Sequence, residues 1–163
     1  MNALPPETPY SKDLGARDPV SAMRETVDRV RSLTAGWAAE QFERSYAPGK
    51  WSARLILTHL AQSELALGNR IRMALSVTNY IAQPFDQDVW IARESHTGGM
   101  EAANAFIALS RMNVVFFESL SPGDRRTTLA HPEYGTLTVD WIIHQIAGHQ
   151  VHHLAQLEKI GSA

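Results

Sequence analysis

From Ser52 to Val77 the chain runs without a proline and with a single glycine, Gly68. Leu55, Ile56, Leu60, Ala66, Leu67, Met73 and Ala74 recur along it at helical spacing, and Ser52 precedes it as an N-cap. It is the longest of four such segments. Asp18-Pro19 reads as an N-cap with proline at the first helical position, followed by Val20, Met23, Val27 and Val30 up to about Thr34. A third segment runs from about Met100 to Leu120 and stops at Ser121-Pro122-Gly123. A fourth, capped by Thr138 or Asp140, runs to Ile160 and is expected to end at Gly161. Between them lie a connection from Trp37 to Gly49 with a short turn near 38–42, and a long connector from Thr78 to Gly99. The Thr-rich stretch from Arg126 to Val139 reads as a small hairpin or extended loop. Four long helices and little else predict an all-α four-helix bundle.

With 163 residues, the length fits one domain, 1–163, able to bury roughly 68–70% of its unfolded surface without a staple. Residues 1–17, with Pro5, Pro6 and Pro9, are expected to form an extended leader. The absence of Cys excludes disulfide scaffolds, thiolate metal sites and cysteine nucleophiles. A net charge of −2 without a long basic run argues against nucleic acid as the main partner. No apolar run approaches the ~20 residues of a membrane-spanning helix. The start lacks a basic region followed by an apolar stretch, so no signal peptide is expected and the protein reads as cytoplasmic.

Chemistry concentrates in the histidines. His149 and His153, four apart on one helix, project within about 40° of each other, and Ile142, Ile146, Leu157 and Ile160 lie within about 80° of His149 on the wheel. The pair therefore sits in the core-facing stripe, where an unbonded imidazole is costly. His144 points roughly 140° away, and His152 lies at the flank. On the long second helix His59 faces inward among Leu55, Ile56, Ala66 and Leu67. Three inward histidines on two helices form a three-nitrogen set for a divalent transition metal, with positions left open. Their heights match if the second and fourth helices are antiparallel, which an up-down-up-down order forbids. The long Thr78–Gly99 connector can span a whole helix, so an up-down-down-up order with a crossover between helices two and three is expected.

Several segments then resemble a known family: Gly49-Lys50-Trp51-Ser52-Ala53-Arg54, Thr58-His59-Leu60-Ala61-Gln62-Ser63, Ile71-Arg72 with Leu75, Phe85-Asp86-Gln87-Asp88-Val89-Trp90, His131-Pro132-Glu133-Tyr134-Gly135, and the run from His149 to Leu157. In order and spacing they resemble the DinB-like superfamily of metal-dependent hydrolases, nearest to its bacillithiol S-transferase-like branch, over about Trp37 to Ile160. The resemblance implies an up-down-down-up bundle with nickel or zinc held by three histidines, matching His59, His149 and His153. It leaves His152 beside the site, His131 as a hairpin feature, and implies thiol S-transfer, mycothiol-dependent isomerisation or hydrolysis as the chemistry.

Other polar residues are weighed against solvation and packing. Gln150 stands where zinc proteases carry a Glu after the first histidine, which argues against peptide hydrolysis by that route. Gln62, Ser63 and Gln156 lie near the histidine faces and are candidates to hold imidazole N–H groups. Asp86 and Asp88 in the crossover, with Gln156, are the catalytic candidates, solvated loop carboxylates being the plainer reading of the first two. Arg70 is expected to snorkel from the bundle end, because eleven helical residues separate it from His59, about 16 Å. The expected function is a metal-dependent small-molecule enzyme, a thiol S-transferase or hydrolase, possessing a low-molecular-weight thiol as partner and forming a homodimer. The alternative is a non-catalytic metal-binding module or dimerising stress-response protein.

Overall fold

A computed structural model describes residues 5–162, and eight helices and one hairpin are found among them. The four long helices are α2 (Pro19–Thr34), α4 (Ala53–Ser76), α6 (Gly99–Glu118) and α8 (Val139–Gly161). Short helices α1 (Ser11–Leu14), α3 (Ala39–Phe42), α5 (Gln87–Arg93) and α7 (Pro122–Arg126) decorate the connections, and β1 (Thr128–His131) pairs antiparallel with β2 (Gly135–Thr138). Side-chain caps set the starts: Asp18 accepts from Ser21 N, Ser52 from Leu55 N, and Thr138 from Trp141 N.

The core falls into two clusters that reveal the helix directions. One contains Val20 and Met23 from the start of α2, Leu67, Ile71 and Ala74 from the end of α4, Val114 and Phe117 from the end of α6, and Ile142, Ile143 and Ile146 from the start of α8. The other contains Val27 and Val30, Ile56 and Leu60, Ala102 and Phe106, and Leu157 and Ile160. Helices α2 and α8 therefore run one way and α4 and α6 the other, giving the up-down-down-up order. At Gly68 an added Cβ would lie 2.7 Å from the Asn113 amide, so glycine permits the close approach of the parallel α4 and α6.

Three expectations change. The leader is not extended through residue 17: Thr8 is buried, its N–H donates to Ser11 Oγ at 2.8 Å, and α1 follows, with Leu14 entering the core. The leader docks on α8 at Gly148, where a Cβ would sit 2.6 Å from Tyr10 O. Residues 1–4 lie outside the described part. The crossover is not all loop, since it contains α5. The last helix includes Gly161 and is capped by Ser162, which keeps right-handed helical torsions.

Candidate metal centre

His59 occupies the second turn of α4, while His149 and His153 stand one turn apart on the antiparallel α8. The helix directions bring all three to one level. They are buried, and one ring nitrogen of each lies within 4.8 Å of the others. His59 Nε2 and His149 Nε2 are 2.9 Å apart, and the ring centroids are separated by 4.6 to 5.2 Å. Trp51 packs against His59 and Tyr10 against His149, each with centroids 5.1 Å apart, so aromatic rings wall the cluster.

Burial, with repulsion from His153, holds His59 down to about 4. Burial also holds His153 at about 4 despite its hydrogen bond to Gln156, and burial followed by His153 and His59 keeps His149 well below the ordinary value. All three are therefore neutral near pH 7, the form that ligates metal. The tautomer of His153 follows from its neighbours. Its Nδ1–H donates to Gln156 Oε1 at 2.8 Å, Gln156 Nε2–H donates to His152 Nε2 at 3.1 Å, and His152 Nδ1–H donates to Asp13 Oδ1 at 3.2 Å. This chain leaves the Nε2 lone pair of His153 free. His59 Nδ1 is buried without a hydrogen-bond partner. With a metal on Nε2 this Nδ1 would keep the ring proton and stay unpaired, so the fit rests on the convergence of three neutral ring nitrogens, a donor set that suits a divalent transition metal.

A cavity of about 250 Å³ opens beside His59 and His149, with Ser63, Arg70, Phe85, His131 and Tyr134 in its wall. Arg70 does not snorkel from the bundle end. It is only 9% exposed, its Nη2 donates to the Gln83 carbonyl at 2.8 Å, and its guanidinium lies 5.9 Å from the centre of the Phe85 ring. Asp86 is spent as the cap of α5, accepting from Asp88 N at 2.9 Å and Val89 N at 3.1 Å. Neither Asp86 nor Asp88 lines the cavity, and both are exposed. Gln62 turns to Glu94, at 3.1 Å, rather than to His59. Gln156 does hold an imidazole, that of His153. His144 bonds the Asp140 carbonyl and His96 is exposed, both away from the cluster.

Sequence reasoning missed a second buried cluster. Glu64 on α4 receives hydrogen bonds from Asn113 Nδ2 at 2.8 Å and Gln150 Nε2 at 2.6 Å, and Gln150 also reaches Ser110 Oγ at 2.8 Å. Complete burial raises the Glu64 carboxyl to about 7 against the pull of both hydrogen bonds. Glu64 sits one position past Ser63 on the helix that carries His59. The only hint in the sequence was a carboxylate inside an otherwise apolar stripe.

The sequence model of the DinB superfamily matches residues 22–157. The chain belongs to the DinB superfamily. It is 30% identical over 122 residues to a protein of Oceanobacillus iheyensis whose name is "Putative metal-dependent hydrolase OB0782", covering 74% of this chain and 71% of that one. A second such protein, from Bacillus mycoides, is 24% identical and matches 74% of this chain and 70% of its own length. Among solved structures, YfiT from Bacillus subtilis, described as "a probable metal-dependent hydrolase with an unusual four-helix bundle topology", superimposes with a TM-score of 0.79 at 17% identity, covering 99% of this chain and 92% of YfiT. A mycothiol-dependent maleylpyruvate isomerase superimposes with a TM-score of 0.71 at 16% identity, over 93% of this chain and 63% of the isomerase. These two likenesses show the four-helix bundle as the fold. No helix among the described residues is long and apolar enough to cross a membrane.

Proposed function

We propose that this protein is a metal-dependent small-molecule enzyme in which His59, His149 and His153 hold one nickel or zinc ion, with a thiol S-transferase as the preferred activity and a hydrolase as the second. The observation that carries the reading is the convergence of three buried, neutral imidazoles at one level with a cavity beside them. Bound through three neutral ligands, the ion supplies Lewis-acid activation of a thiol or a water. The protein's own residues do the rest. Gln156 and His152 fix the orientation of His153. Tyr10 and Trp51 exclude solvent from the cluster, and the cavity admits a small molecule to the His59 and His149 side.

The choice between thiol and water rests on proton chemistry. Gln150, next to His149, is turned into the Glu64 cluster, and no carboxylate belongs to the three-histidine group among the described residues. A free thiol ionises near ~8.5 and free water only far above that, so a three-histidine group without a carboxylate suits the thiol better. The names of the relatives support metal dependence, and the likeness to a mycothiol-dependent isomerase is consistent with a thiol partner.

The test incubates metal-loaded protein with a bromobimane or a chlorinated aromatic, with a panel of low-molecular-weight thiols and with none. Metal-dependent conjugation that disappears in His149→Ala supports transfer, and metal-dependent product without thiol supports hydrolysis. Neither product across the panel, with fully loaded protein, leaves a non-catalytic metal-binding module as the better reading.

A further inference from the structure

The far wall of the cavity carries a charge without a salt bridge, with the Glu133 carboxylate near enough to favour the charged form but not to bond it. Arg70 is nine-tenths buried, yet no carboxylate lies within ion-pair distance of it among the described residues. Among the described residues its one hydrogen-bond acceptor is the Gln83 carbonyl. A guanidinium has five N–H donors, so most of its capacity is unspent, and a buried cation left in this state is expensive. The acid nearest in the cavity lining, Glu133, is exposed at the rim.

A second donor stands on the same wall. His131 is buried in the hairpin, and its Nδ1 accepts the backbone N–H of Glu133 at 3.2 Å and of Tyr134 at 3.3 Å. With Nδ1 an acceptor, the ring proton sits on Nε2, which has no hydrogen-bond partner among the described residues. Burial and the neighbouring Arg70 charge keep this ring neutral by lowering its pKa. The wall therefore offers a forked cation and a neutral N–H donor, neither of them hydrogen-bonded to a carboxylate among the described residues. Leu67, Phe85, Leu137 and Trp141 add apolar surface to a lining that is otherwise of mixed polarity.

We propose that Arg70 and His131 form a carboxylate-binding subsite, so that the small molecule taken by this cavity carries a carboxylate on an apolar or aromatic body. Arginine matches a carboxylate through two parallel N–H bonds. The eleven residues from His59 to Arg70 rise roughly 16 Å, and a helical side chain leans back toward the N-terminus, which leaves roughly 10 Å between the subsite and the three histidines. One ligand can thus present its carboxylate to Arg70 and its reacting end to the histidine side. The inference names the substrate class for the proposed metal site, and it rests on that reading only for the reacting end.

The test measures binding rather than turnover and uses metal-free protein, so that a metal cannot itself capture the carboxylate. Phenylacetate and phenylacetamide, which differ in charge and little in shape, are titrated by calorimetry or ligand-observed NMR. Phenylacetate is expected to bind at millimolar concentration or better and at least ~10-fold more tightly than the amide, a ratio that reflects one charge-assisted fork. In Arg70→Gln the preference is expected to disappear, and Arg70→Lys, which keeps the charge but not the fork, is expected to retain part of it. The acid-to-amide ratio in the unaltered protein needs no variant, so the test survives even if Arg70→Gln does not fold. Equal affinity for acid and amide, absence of phenylacetate binding, or an undiminished preference in a folded Arg70→Gln protein would overturn the proposal. Since no metal is present, such a failure leaves the three-histidine assignment standing. Conversely, loss of that assignment does not alter the carboxylate result.

Discussion

Two polar clusters are buried side by side on the same helices, and they differ in what their atoms face. Glu64, Asn113, Gln150 and Ser110 point at one another, and the bonds between them satisfy most of their donors and acceptors. His59, His149 and His153 instead bring ring nitrogens together, with His59 Nε2 and His149 Nε2 at 2.9 Å as the one bond between the three rings, and His59 Nδ1 finds nothing. His149 and Gln150 are adjacent in sequence, yet one belongs to each cluster. Burial alone does not distinguish structure from function. A cluster bonded largely within itself ties α4, α6 and α8 together, whereas ring nitrogens that converge on one point fit a ligand.

The largest expected effect on folding comes from opening the closed cluster. Gln150→Ala leaves Glu64 and Ser110 without their shared partner in the interior. It should lower the unfolding free energy by about 1–3 kcal/mol, measured by denaturant unfolding of metal-free protein, with metal stoichiometry unchanged. A variant that instead lost its metal while keeping its stability would erase the distinction between the clusters.

The two clusters should also respond to pH in opposite directions. The Glu64 carboxyl is raised from its ordinary 4.5 to about 7, so the folded state holds a proton that the unfolded state has released. Its contribution is fully present below about 4.5 and is lost as pH rises through about 7. The stability gained by Glu64→Gln over the unaltered protein should therefore grow between these values and level off above. The Gln150 carbonyl oxygen, buried without a partner, is available to accept from the new amide. For His59 and His153 the folded values are depressed to about 4, so the unfolded state protonates first. Metal-free protein should lose their contribution as pH falls from about 6.5 through 4, whereas metal-loaded protein, in which protons compete with the ion, should resist until lower pH. A flat Glu64→Gln difference, or metal loss already complete at pH 6, would contradict these assignments.

A smaller effect belongs to the orienting chain. Gln156→Ala removes the acceptor for His153 Nδ1–H and should weaken metal binding roughly 10–100-fold, with little change in metal-free stability. Titration with a competing chelator reads this directly, and unchanged affinity would reduce Gln156 to a packing residue. Smallest of all, Asp86→Ala should cost about 1 kcal/mol through loss of the α5 cap and leave metal affinity untouched. A large loss of activity there would restore Asp86 as a functional residue.

Much of this was legible in the sequence because caps and periodicity are local. Asp18-Pro19, Ser52 and Thr138 mark helix starts within a residue, and the wheel directions of His59, His149 and His153 follow from spacing alone. Even the helix order followed, because three histidines at one height demand antiparallel α4 and α8. What depended on tertiary partners was not legible. Glu64 looks like any charged residue on a long helix until Asn113 and Gln150 arrive from two other helices. Arg70 was placed by its Cα distance from His59, but its long side chain leans back along the helix into the cavity wall instead of snorkelling from the bundle end. The α5 helix is seven residues long, too short for periodicity to reveal. The leader depends on a glycine far along the chain, Gly148, that makes room for Tyr10.

Metal content tests the central claim most directly. Protein purified without a histidine tag is analysed for bound transition metal, alongside His59→Ala, His149→Ala, His153→Ala and, as a control outside the cluster, His144→Ala, with helicity checked for each. Close to one nickel or zinc ion per chain is expected in the unaltered protein and in His144→Ala, and almost none in the other three although they remain helical. Full metal content in a folded His153→Ala protein would contradict the three-histidine centre.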